Sequence, residues 1–331
     1  MSSLHILIVI LIAAFAFDFI NGFHDAANSI ATVVSTRVLT PGVAVVWSAI
    51  FNFVAAMFLG TGVAAMVGRG MVELALVNER VIIAGIAGAI IWDLLTWWVA
   101  LPTSSTHALV GGYAGAAIAA AGWGAIIARG WILTLIFIVV SPAAGLVLAW
   151  LFMVLASWLF RRSHPRKVDQ LFRKLQLFSA ALLSLAHGTN DAQKTMGIVT
   201  GALVAGHFIP TFKVPLWVVA MAATAMGLGT MSGGWRIVHT MGGRITKLKP
   251  VGGSCAEFAS ALALFGSTAL GIPVSTTHTV TGAIVGVGSV ERMSAVRWGI
   301  ARDIVWAWIL TIPAAAVVAA GCWWVLGPVL H

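Results

Sequence analysis

Asn21-Gly22-Phe23-His24-Asp25-Ala26-Ala27-Asn28 sets two amides, an imidazole and a carboxylate inside an apolar run that extends from 4 to 36. A bilayer core has no water to satisfy such groups, so an ionisable side chain at that depth marks an ion or substrate path by default. The plainer alternative is a polar staple, with Asn21, Asn28 and His24 bonding to neighbouring spans. A second copy favours the site: His187-Gly188-Thr189-Asn190-Asp191-Ala192-Gln193-Lys194 repeats Gly22, Asp25 and Ala26 as Gly188, Asp191 and Ala192. In both copies a helix-breaking glycine stands three residues before an aspartate.

The rest of the chain fixes the environment. Of its 331 residues, 60% are hydrophobic and 9% charged, whereas a soluble domain carries about a quarter charged. Apolar runs of about 20 residues cross a bilayer as helix. Ten are present, at 4–36, 42–66, 81–100, 107–127, 131–160, 176–205, 214–231, 252–271, 277–290 and 303–327. The joins are short, so the expected fold is an all-α polytopic membrane protein of about ten transmembrane helices with no separate soluble domain.

The net charge of +9 comes from Lys and Arg in the joins between spans, which leaves no basic face for nucleic acid. With the N-terminus outside, Arg69, Arg80, Arg129 and Lys213 fall outside, Lys194 lies within the membrane, and the fourteen others of the 19 fall inside. That asymmetry favours both termini outside. The first run has no Lys or Arg ahead of it and ends in a polar motif, so it reads as a retained span and not a removed signal peptide. Cys255 and Cys322 lack CxxC spacing and indicate neither a disulfide framework nor a metal site. No cofactor is expected. Trp97, Trp98, Trp131, Trp323 and Trp324 lie near span ends, as an interfacial belt does.

A second motif follows the third span, which holds Asp93: Leu101-Pro102-Thr103-Ser104-Ser105-Thr106-His107. Proline ends a helix, and the Ser and Thr after it are good N-caps for the next one. A helix N-terminus offers free N–H groups and partial positive charge, a ready site for an anion such as phosphate. Ser104, Ser105 and Thr106 would add donors. Alone, the stretch could equally be a polar connection at the interface. Ile272-Pro273-Val274-Ser275-Thr276-Thr277-His278 repeats it, however, and Gly111 and Gly115 recur as Gly282 and Gly286. Glu257, close in sequence to this second break, is a further intramembrane carboxylate with a claim to the site. Asn52 reads more readily as interhelical glue than as a ligand.

Asp25 to Asp191 is 166 residues and His107 to His278 is 171. Both motifs thus recur at nearly one offset, and five spans, an odd number, separate the copies. The second half is therefore expected to enter the membrane from the opposite side, with broken helices meeting near the midplane as in secondary transporters. The halves are residues 1–160 and 177–331, joined by a basic cytoplasmic linker at 161–176.

These four stretches resemble the duplicated signatures of the PiT family of inorganic phosphate transporters, and most closely its bacterial PitA-like branch. The resemblance covers nearly the whole chain. It implies uptake of inorganic phosphate across the cell inner membrane by cation symport, with a homodimer as the assembly. Phosphate would be held by Ser104, Ser105, Thr106, Ser275, Thr276 and Thr277. The coupling cation would sit near His24, Asp25, Asn28, His187, Asn190, Asp191, Lys194 and Glu257. The chain departs from the sodium-coupled pattern: His24 replaces the first Asn of the Asn-Asp pair, and Lys194 stands where Asn28 stands in the other half. A built-in ammonium would compete with sodium for the carboxylates, so proton coupling is expected over sodium, and a metal-phosphate complex is a candidate for the transported species. Sulfate or a related oxyanion is the alternative cargo, and a gated anion channel the alternative mechanism. An intramembrane hydrolase is disfavoured because HExxH is absent.

Overall fold

A computed structural model describes residues 3–328. Among them are thirteen α-helices and no β-strand. In lipid every backbone polar group must be satisfied within the segment, which leaves helices as the solution for these apolar runs. The first half contains α1 (Ser3–His24), α2 (Ala26–Ser35), α3 (Pro41–Phe58), α4 (Gly62–Arg69), α5 (Glu79–Trp98), α6 (Ser105–Ala121) and α7 (Ala128–Leu159). The second contains α8 (Pro165–Ala205), α9 (Leu216–Ser232), α10 (Trp235–His239), α11 (Pro250–Ala269), α12 (Thr276–Glu291) and α13 (Trp298–Leu326).

Five segments among the described residues are long and apolar enough to cross a membrane: α1 with α2, α3, α5, α7 and α13. A sixth is the pair formed by α9 and the segment Trp235–Arg244, bent by 59°. The expected runs at 107–127, 176–205, 252–271 and 277–290 appear as α6, α8, α11 and α12. These helices are either short, 17 residues for α6 and 16 for α12, or carry buried charge. Most of α6 and α12, and α8 from Ser179 to Leu203, are buried inside the protein. By contrast, only 22% of the apolar window of α7 and 28% of that of α13 is buried, against 50% for α5. α7 and α13 therefore turn apolar surface outward.

The basic stretch 161–176 is helical from Pro165 onward, where α8 starts. His164 caps that helix by accepting from the Arg166 N–H, Pro165 suits its first position, and Arg173 pairs with Asp169 one turn away at 2.8 Å. One sequence expectation needs correction: the second motif does not break its helix. The first span divides at Asp25 (φ −92°, ψ 2°), between α1 and α2, but α8 runs through His187–Lys194 without interruption. The glycines have another purpose. A Cβ at Gly22 would strike the Met226 carbonyl, and one at Gly188 would strike the backbone of Asn52, so each allows a neighbouring helix to approach closely.

The halves interlock reciprocally. α6 of the first packs on α13 of the second, and α12 of the second packs on α7 of the first. Each contact uses a small-residue stripe. Gly111 and Gly115 lie against the backbone of Ile312 and Ala316, while Gly282 and Gly286 lie against that of Pro142 and Leu146. The receiving helices each carry an internal proline, Pro142 in α7 and Pro313 in α13, separated by the same 171 residues as the two histidines.

Candidate functional site

The two proline breaks build the site from local rules. After Pro102, Ser104 leaves the helical region and its side chain accepts from the His107 N–H at 3.2 Å, opening α6. After Pro273, Ser275 accepts from the His278 N–H at 3.2 Å, opening α12. These are the expected N-caps. The two helix starts face each other: the His107 and His278 rings meet edge to face at 4.5 Å, and Trp308 stacks on His278 at 3.8 Å. The Thr106 hydroxyl donates to the Val274 carbonyl at 3.1 Å across the junction.

Each aspartate motif reaches the hydroxyls of the opposite half. Asn28 Nδ2 donates to Thr276 Oγ1 at 2.9 Å and to Thr277 Oγ1 at 3.0 Å. Lys194 Nζ donates to Thr106 Oγ1, and to its own helix neighbour Asp191 Oδ1 at 2.6 Å. Thus Asn28, Lys194, Thr106, Thr276 and Thr277 form one group drawn from both halves. Ser105 Oγ is buried beside them, next to the Asp93 carboxylate.

The acids converge as well. Asp25, His187 and Asp191 place ligand-capable atoms within 4.8 Å of one another and could hold a cation. His24 Nδ1 bonds Asp25 Oδ1 at 2.9 Å, and its Nε2 meets Thr96 Oγ1 at 3.1 Å, with Thr103 donating to the same Thr96 hydroxyl at 2.9 Å. His187 Nε2 lies 3.2 Å from Asp191 Oδ2, an ion-pair distance without hydrogen-bond alignment. Its Nδ1 is 3.3 Å from Asn52 Oδ1, and Asn52 also donates to Thr230 at 3.2 Å. Asn52 therefore ties helices together, as expected. Every side chain named as a site candidate from the sequence is at most 2% exposed, so the whole group is sealed inside the protein.

Two sequence candidates lie apart. Glu257 binds none of the hydroxyls of the second break. Its Oε1 accepts from Thr32 at 2.6 Å and Gln176 at 2.9 Å, and its Oε2 accepts from Ser179 at 2.5 Å. Asn190 turns to Thr268 on α11, donating at 3.1 Å. Conversely, Asp18, outside both sequence motifs, joins the group. It is fully buried beside Asn21 and Thr195 and lies within electrostatic reach of Asp191 and Lys194. Its spacing of seven residues before Asp25, two helical turns on one face, was the available signal. Asp93 is likewise buried, within electrostatic reach of His24, Asp25 and Lys194.

A model of the phosphate transporter family matches residues 21–167 and 160–319. The chain is 53% identical over 319 residues to a probable low-affinity inorganic phosphate transporter of Rhizobium meliloti (strain 1021), covering 96% of each chain. It is 44% identical over 322 residues to a protein of the same description from Bacillus subtilis (strain 168), again covering 96% of each. Among solved structures it is similar to a sodium-dependent phosphate transporter, with a TM-score of 0.91 at 25% identity, covering 98% of this chain and 100% of that one.

Proposed function

Because the chain belongs to the phosphate transporter family and is an integral membrane phosphate transporter, we propose that it imports inorganic phosphate by proton symport through the group where its halves meet. The observation that carries this reading is the pair of hydroxyl-capped helix starts, α6 and α12, meeting at the His107–His278 contact of 4.5 Å. Two N-termini present N–H groups and partial positive charge to one small volume. Ser104, Ser105, Thr106, Ser275, Thr276 and Thr277 supply the hydroxyls around it.

Charge balance sets the coupling. A doubly charged anion in a dry cavity is costly unless compensated, and Asp25 and Asp191 add negative charge nearby. A proton or cation delivered to this cluster makes anion binding more favourable. The proton is preferred because Asp191 already holds the Lys194 ammonium at 2.6 Å, and because each aspartate has an imidazole beside it, His24 at 2.9 Å and His187 at 3.2 Å. Sodium is the second reading. It is favoured by the Asp25, His187 and Asp191 group and by the sodium dependence named for the structural neighbour. A metal-phosphate complex would bring its own positive charge to the same place.

Alternation follows from inverted insertion of the two halves, each exposing the loaded site to one face by rocking against the other. Both termini lie outside the cell inner membrane in this arrangement, and a homodimer is the assembly. The test is labelled-phosphate uptake into proteoliposomes under an imposed pH gradient or an imposed sodium gradient. Uptake driven by the pH gradient without sodium is expected; uptake that needs sodium and ignores the pH gradient overturns proton coupling.

A further inference from the structure

The duplication is imperfect at the position where it matters most for charge. Residues 28 and 194 are separated by the same 166 residues as Asp25 and Asp191, and each reaches the first turn of the opposite half's capped helix. Yet one is a neutral amide, bonded to Thr276 and Thr277, and the other is an ammonium, bonded to Thr106 and Asp191. We infer that the Lys194 ammonium is a resident counter-cation of the phosphate cradle, doing for the half that carries Asp191 what a mobile coupling cation does for the half that carries Asp25. This rests on the phosphate reading above.

Three observations carry it. First, Asp191 has a fixed ammonium partner at 2.6 Å, whereas Asp25 is met by imidazoles, His24 at 2.9 Å and the nearby His187. Only the first half therefore needs a charge brought in from solution. Second, Lys194 is fully buried yet touches Thr106 in the opening turn of α6. The start of a helix is its positive end, the wrong end for a cation, and an anion held between ammonium and helix start removes that conflict. The ammonium has three donors; Asp191 and Thr106 take two and leave one for such an anion. Third, stability does not account for the pair, because a buried ion pair is often no more stabilising than apolar residues of similar volume. Asp18, Asp93 and His107 also lie within electrostatic reach of Lys194, so the ammonium is felt by acids of both halves.

Wild type, Lys194→Asn and Lys194→Arg are reconstituted in proteoliposomes, and the charge per phosphate is read from the membrane potential that nulls labelled-phosphate flux. Lys194→Asn, which gives the second half the residue type of the first, is expected to carry one additional positive charge per phosphate and to gain dependence on an added cation. Lys194→Arg keeps the wild-type charge count at whatever rate it transports. Lys194→Asn moving phosphate with the wild-type charge count overturns the inference. If Lys194→Asn is folded by size exclusion but silent, transport by Lys194→Arg supports a requirement for fixed charge, and silence of both variants overturns it. Failure of the wild type to move phosphate defeats the phosphate reading instead, so the two failures are distinguishable.

Discussion

The two aspartate motifs solve one problem in different ways. In the first half the helix stops at Asp25 and restarts at Ala26, and the carboxylate is met by His24. In the second half the helix runs through Asp191, whose carboxylate is met within the same helix by Lys194 three residues on and His187 four residues back. Spacings of three and four place side chains on one helical face, so a continuous helix can neutralise its own acid. A duplicated fold can thus keep its packing symmetric while its electrostatics become asymmetric.

The largest expected effect separates these two acids. Asp191→Asn removes the partner of a buried ammonium and should destabilise the protein by about 3–5 kcal/mol, visible as a large fall in the thermal midpoint in detergent. Asp25→Asn strands no ammonium and gives His24 a neutral amide oxygen in place of a charged one, a loss of about 1 kcal/mol. Both should abolish coupled phosphate uptake. Equal thermal midpoints for the two variants would erase the distinction drawn between the halves.

Packing should show the opposite behaviour, with the halves responding alike. Gly115→Val drives a side chain into the backbone of Ala316, and Gly286→Val into that of Leu146. Each is expected to cost about 1–3 kcal/mol by overpacking, read from the same thermal melts. A tolerant Gly286 beside an intolerant Gly115 would break the reciprocal interlock. Next come the caps: Ser104→Ala and Ser275→Ala each lose a side-chain bond at a helix start. The expected cost is about 1 kcal/mol of stability apiece, together with weaker phosphate binding in both. The smallest effect belongs at the exposed start of α8, where Arg173→Ala removes a pair with Asp169 and an exposed bond to the Arg37 carbonyl. It should change stability by no more than about 0.5 kcal/mol.

Much of the fold was legible because lipid permits few solutions. The apolar runs, the proline breaks and the Ser104 and Ser275 caps follow from local chemistry, and the GxxxG stripes at Gly111 and Gly282 were visible as a repeat. The site was legible where the duplication marked it: Asn28, Lys194, Thr106, Thr276 and Thr277 do meet. What the residues could not reveal depended on rotation about the helix axis. Glu257 stands close in sequence to the second break but faces Thr32, Gln176 and Ser179, and Asn190 faces α11 although its neighbour Asp191 faces the centre. The continuity of α8 was obscured for another reason. Glycine weakens a helix in isolation, but packing against the backbone of Asn52 uses the missing side chain at Gly188 to bring two helices together.

The central claim is that one cradle is shared by both halves, and equilibrium binding of radiolabelled phosphate to the purified protein tests it most directly. Thr106→Val and Thr277→Val keep side-chain volume and remove one hydroxyl from each half. The account predicts a single phosphate per chain in the wild type, with binding lost or strongly weakened in either variant. Two phosphates per chain, or full binding retained in one of the two variants, would contradict it.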